Sequence, residues 1–139
     1  MHILKPQTFM NDSGRALAGL APAEPGGPLA DLLVLVDEVA LPVGYFRIRA
    51  HGSAGGHNGL RSVEAAVRTR EYARLRIGVG AKPEHVDDLA DHVLDVMPKA
   101  DRRAVEELLP TMCEAVECWM AEGAERAMTR FNRRVKAEE

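Results

Sequence analysis

Cysteine is scarce in this chain, with only Cys113 and Cys118. They lie five positions apart in a helical pattern, which puts them on different faces of one helix. That excludes a disulfide framework and C-x-x-C metal or redox chemistry, and leaves both as packing residues. Long apolar runs are also missing. The longest unbroken aliphatic stretch is Leu32–Val36, far short of the roughly 20 residues a bilayer-crossing helix needs, so no membrane span is expected. The N-terminus shows no basic stretch followed by an apolar core and a small-residue cleavage site, which points to a cytoplasmic protein. His2, His51, His57, His85 and His92 form no H-x-x-x-H grouping, so no metal site is expected. Ser13, Ser53 and Ser62 stand outside any G-x-S-x-G turn, and Gly59-Leu60-Arg61 lacks the Gly-Lys-Ser/Thr that ends a phosphate-binding P-loop. Serine-esterase and NTPase chemistry are therefore excluded.

What is present is the composition of a folded domain: 139 residues, 46% apolar and 28% charged, enough for one hydrophobic core. The net charge of −3 argues against a protein that grips nucleic acid with its whole surface. Charge is unevenly spread, however. The segment from Val43 to Arg76 carries seven arginines against Glu64 and Glu71, a net +5, whereas Glu84 to Glu107 carries a net −5. Either one face suits phosphates while another repels them, or these are ordinary solvated charges.

Strand and helix signals alternate. A strand tail over His2–Leu4 precedes Lys5-Pro6, and a short amphipathic helix is expected over Ser13–Leu20, capped from Asn11, Asp12 or Ser13. The Pro- and Gly-rich stretch Ala21–Pro28 is a surface linker. Leu32–Val36 reads as a strand buried on both faces and ended by Asp37-Glu38, because it lacks polar alternation. Tyr45–Ile48 alternates as a second strand, the Gly-rich Gly52–Gly59 opens a helix over Leu60–Val67, and Leu75, Ile77 and Val79 mark a third strand. A short strand is expected near His92–Leu94. Lys99–Glu122 has apolar residues at Val105, Leu108, Leu109, Met112, Val116 and Trp119, a long helix kinked at Pro110 and ended by Gly123. A basic helix over Ala124–Val135 closes the chain. The fold class is α/β, a single domain over residues 1–139.

Four polar residues sit where side chains can enter a cleft: Asn11, Asp37, His57 and Asn58. A carboxylate following a buried strand, such as Asp37, lies where α/β sheets bind ligands and can orient a histidine; it can equally be a turn former before Pro42. His57-Asn58 stands in a loop whose glycines allow close backbone approach; the pair can equally cap the following helix.

Ordered motifs identify a family. Lys5-Pro6-Gln7-Thr8-Phe9-Met10-Asn11-Asp12-Ser13-Gly14, then Asp37-Glu38 with Leu41-Pro42, then His57-Asn58-Gly59-Leu60, then Arg74-Leu75-Arg76-Ile77-Gly78-Val79-Gly80 resemble, in this order, the motifs of the bacterial peptidyl-tRNA hydrolase family. Ala40 departs from them where the family usually carries another aspartate. The resemblance implies a mixed central β-sheet flanked by helices and an esterase that releases peptide from prematurely dissociated peptidyl-tRNA, recycling the tRNA. It implies that Asp37 orients a general-base histidine and that Asn11 serves catalysis. Phe9, Met10, Asn11, His57 and Asn58 would line the groove for the peptide and the tRNA acceptor end, and Arg49 and Arg76 would meet tRNA phosphates. No metal or cofactor is implied, and the family is monomeric.

Family members begin with a strand reading V-G-L-G-N-P-G, followed by a T-R-H-N-x-G motif that carries the base. Neither motif occurs in these 139 residues. By that comparison the chain is expected to be N-terminally truncated and inactive by itself. Its sheet is expected to be open where the first strand would lie, beside Leu32–Val36 and Leu75–Gly80, so that the chain self-associates. The alternative is a catalytically inactive relative that binds RNA or protein.

Overall fold

The structure, a computed structural model, describes residues 2–5, 7, 10–17, 19–80 and 98–132. Its contacts gather into two compact units: one holds residues Met1–Val34 and Ala50–Ala73, the other Leu35–Arg49 and Arg74–Glu139. The elements are a 3-10 helix (Met10–Leu17), β1 (Leu33–Glu38), β2 (Phe46–Arg49), α1 (Asn58–Val67), β3 (Ala73–Gly78), α2 (Lys99–Glu122) and α3 (Ala124–Phe131). The architecture is α/β with a mixed sheet and helices, as expected.

In the first unit the 3-10 helix packs on α1. The contact needs a glycine at its centre: a Cβ on Gly14 would run into the Ser62 carbonyl oxygen. Instead the Gly14 N–H donates to Ser62 Oγ at 2.8 Å. Helix α1 buries Gly59, Leu60, Val63 and Val67, the three- and four-residue spacing of one helical stripe. Beyond its end, Thr69 is buried and its hydroxyl donates to the Gly27 carbonyl at 2.7 Å. The Leu29 N–H donates to the Glu71 carbonyl at 2.8 Å, which holds the Pro- and Gly-rich linker against this turn.

In the second unit the strands run in the order β1-β3-β2. β2 and β3 are antiparallel, with Phe46 opposite Ile77, Arg47 opposite Arg76, Ile48 opposite Leu75 and Arg49 opposite Arg74. Alternation then separates two faces, Phe46, Ile48, Leu75 and Ile77 on one and the four arginines on the other. The chain after β1 folds back on the end of β3: Val79 N–H donates to the Glu38 carbonyl and Gly80 N–H to the Leu41 carbonyl, both at 3.0 Å. A Cβ on Gly78 would meet the Pro42 carbonyl oxygen, so this return also requires glycine. Helix α2 buries Met112, Ala115 and Cys118 and runs on through Pro110, and α3 packs on both α2 and β2.

Several expectations are corrected. The strand expected to end at Val36 continues through Asp37 and Glu38. It is not buried on both faces: Leu35 is 53% exposed, because β1 is an outer strand of the three. β1 and β3 are immediate neighbours, so the opening expected between them is absent. The first helix is 3-10 and begins at Met10, earlier than expected. On α2, Leu109 is 49% exposed and its expected place in the core belongs to Ala115 and Cys118. Cys118 is buried and Cys113 exposed, on different faces as expected, so only Cys118 is a packing residue. The strand expected near His92–Leu94 and the end of the last helix beyond Asn132 lie outside the described residues.

Candidate functional site

The first unit carries Met10 and Asn11 at the start of the 3-10 helix, and His57 and Asn58 at the start of α1. Phe9 lies outside the described residues. His57 has extended backbone (φ −74°, ψ 116°), and its Nδ1 accepts from the Leu60 N–H at 3.1 Å. It is thus the N-cap of α1, satisfying a donor that the first helical turn would leave open. Asn58 is the first helical residue and is exposed. The turn before them uses Gly55 and Gly56 at φ +59° and +87°, a backbone region that side chains disfavour. Since Gly14 docks on Ser62, the family-like segment ending at Gly14 and the one beginning at His57 are joined by direct packing in this unit.

The second unit carries Asp37, Arg49 and Arg76. Asp37 is half-buried near the carboxyl end of β1 and takes part in a polar interaction. The antiparallel register places Arg47 directly opposite Arg76 and Arg49 opposite Arg74. Like charges facing one another across strands are unfavourable, so this face needs negative charge from outside the pair. Glu38 supplies part of it: Arg76 Nη1 donates to its Oε2 at 3.3 Å, with both side chains largely covered. Arg74 is 1% exposed and belongs to the interior. Arg49 is exposed, and Arg47, like Arg76, is partly buried. The arrangement can hold a multiply charged anion such as a phosphate chain.

Residue types alone had singled out Arg49 and Arg76 but not Arg47 or Glu38. The signal for Arg47 was its two-residue spacing from Arg49, which puts both on one strand face. Glu38 became visible only with the return of the chain onto β3. Among the described residues no group of three or more His, Cys, Asp or Glu is placed to hold a metal ion, and no helix is long and apolar enough to cross a membrane.

The profile of the family described as Peptidyl-tRNA hydrolase matches residues 1–139. The peptidyl-tRNA hydrolase of Gemmatimonas aurantiaca is 47% identical over 133 residues, covering 94% of this chain and 70% of that protein. The one from Symbiobacterium thermophilum is 48% identical over 130 residues, covering 94% of this chain and 68% of that protein. Among solved structures, peptidyl-tRNA hydrolase from Acinetobacter baumannii superposes with a TM-score of 0.73 at 25% identity, over 91% of this chain and 65% of that one. A complex of peptidyl-tRNA hydrolase with N-propanol gives a TM-score of 0.73 over 93% and 66%. The chain spans just under two thirds of the length of these two solved relatives.

Proposed function

The chain belongs to the peptidyl-tRNA hydrolase family, and from that premise we propose that it serves the hydrolysis of the ester bond between peptide and tRNA in peptidyl-tRNA. The observation that carries this reading is the family match over residues 1–139, with all four motifs in order. In this reading a histidine base removes a proton from water, and the resulting hydroxide attacks the ester carbonyl. The tetrahedral oxyanion collapses, and the ribose hydroxyl leaves with the proton. Asp37 is the positioning residue that orients the histidine and favours its charged form. Asn11 acts at the reacting ester, while Phe9, Met10, Asn11, His57 and Asn58 line the groove for the peptide and the acceptor end.

Arg49 and Arg76 receive tRNA phosphates, and the gathering of Arg47, Arg49 and Arg76 on one face of β2 and β3 supports this. Phosphate contacts of this kind position the substrate without reading its sequence. The substrate is a product of translation, which supports a cytoplasmic location; the family is monomeric, and this chain by itself is expected to self-associate.

The test is release of labelled peptide from peptidyl-tRNA. The chain is assayed alone and joined to a family-type N-terminal segment carrying V-G-L-G-N-P-G and T-R-H-N. Hydrolysis by the joined protein supports the reading. Tight tRNA binding with no hydrolysis by either form would favour an RNA-binding relative instead.

A further inference from the structure

Within the first unit, an open groove of about 570 Å³ runs between the end of α1 and the glycine turn of the linker. Arg61, Glu64, Ala65, Arg68, Arg70 and Glu71 form most of its lining, with Gly26 and Thr69 completing it. Its walls are fixed. Gly27 N–H donates to the Glu24 carbonyl at 2.9 Å to close the turn, and the buried Thr69 hydroxyl ties that turn to the far side. Arg70 Nε donates to Glu64 Oε1 at 2.6 Å, so those two charges largely cancel. Arg61 and Arg68 are both exposed, and neither side chain has an ion pair among the described residues. They stand two turns apart on α1, about 10 Å along its axis. With Glu71 as the remaining acid, the groove is net basic.

Arg68 is also the only non-glycine residue at positive φ among those described, with φ 60° and ψ 33° at the helix C-cap. Glycine or asparagine is the ordinary occupant of that position, because a Cβ there is strained. An arginine held against that preference, its head group free at the rim of a built groove, is better explained by a ligand than by the fold.

We infer that Arg61 and Arg68 form an RNA-backbone contact of the first unit, in addition to Arg49 and Arg76, that takes phosphates of the tRNA. The inference rests on the reading of tRNA as substrate.

The experiment measures binding of deacylated tRNA to the 139-residue chain across a range of salt concentrations, with thermal melting alongside. The double variant Arg61→Gln/Arg68→Gly should bind about tenfold more weakly near 0.1 M salt. Its plot of log affinity against log salt should be shallower by between roughly 1 and 2, as expected for two lost phosphate contacts. Its melting temperature should be unchanged or raised, since glycine relieves the strained backbone. Arg102→Gln/Arg103→Gln, which removes two exposed arginines from α2, should leave affinity and slope as they were. An unchanged slope in the groove variant, or an equal loss in the α2 variant, overturns the inference while leaving the proposed function intact. Failure of the unaltered chain to bind tRNA overturns the inference, and the proposed function falls with it only if the joined protein also fails to hydrolyse peptidyl-tRNA.

Discussion

Asn132 grips Ile48 as a neighbouring strand would: the Ile48 N–H donates to Asn132 Oδ1 at 2.8 Å, and Asn132 Nδ2 donates to the Ile48 carbonyl at 3.0 Å. One side-chain amide thus closes the outer edge of β2 at its buried residue. Open strand edges invite pairing with other chains, and this one is occupied. Asn132→Ala leaves both Ile48 backbone groups without their partner. A loss of about 1–3 kcal/mol is expected, read by urea denaturation, together with more self-association in sedimentation than the parent chain shows.

His57 separates two roles that its position confounds. As N-cap of α1 through Nδ1, it should cost about 1 kcal/mol when replaced by alanine and a few tenths when replaced by asparagine or serine, which can also cap. If asparagine restores stability but not peptidyl-tRNA affinity, His57 has a further part in the groove. Full rescue of both confines it to the cap.

Glu38 is expected to act through charge. Glu38→Ala removes the carboxylate beside Arg76 and leaves Arg47 facing Arg76 with less compensation. The loss should be about 1 kcal/mol at low ionic strength and should shrink as salt is added, because screening weakens the repulsion more than it weakens packing. A loss independent of salt would contradict this account.

Gly14→Ala is a test of close packing. The added Cβ meets the Ser62 backbone carbonyl, which cannot swing away as a side-chain tip could. A loss of about 1–3 kcal/mol is expected, seen as a lower melting temperature. Ser62→Ala, which removes only the acceptor of the Gly14 N–H, should cost less.

Much of this fold could be read from local pattern. Lys99–Glu122 was legible from apolar spacing and the glycine after it, and Leu75 and Ile77 alternated as a strand must. The failures were of another kind. Leu32–Val36 looked buried on both faces because composition carries no information on whether a strand lies at the rim of a sheet, where β1 leaves Leu35 exposed. Leu109 and Ala115 exchanged places because the spacing of apolar residues on α2 allowed more than one stripe, and tertiary packing chose between them. Of the candidate site, the chemistry of Asp37, His57 and Asn58 was visible as residue types beside turns and strand ends. The facing of Arg47 and Arg76 was not, since register is set by how β2 and β3 meet across 23 intervening residues. The bond from Asn132 to Ile48, 84 positions away, had no local signal at all.

The central claim is that Asp37 orients a histidine for attack on the ester of peptidyl-tRNA. The most direct measurement is kcat for peptidyl-tRNA hydrolysis by the chain joined to a family-type N-terminal segment carrying T-R-H-N, with Asp37 and with Asp37→Asn. The amide keeps the size of the side chain but cannot stabilise an imidazolium as a carboxylate does. The account predicts a fall in kcat of about 10²–10⁴-fold, KM little changed, and little turnover by the 139 residues alone. Equal kcat for Asp37 and Asp37→Asn would contradict it, as would full turnover by the 139 residues alone, which would move the base to His51 or His57.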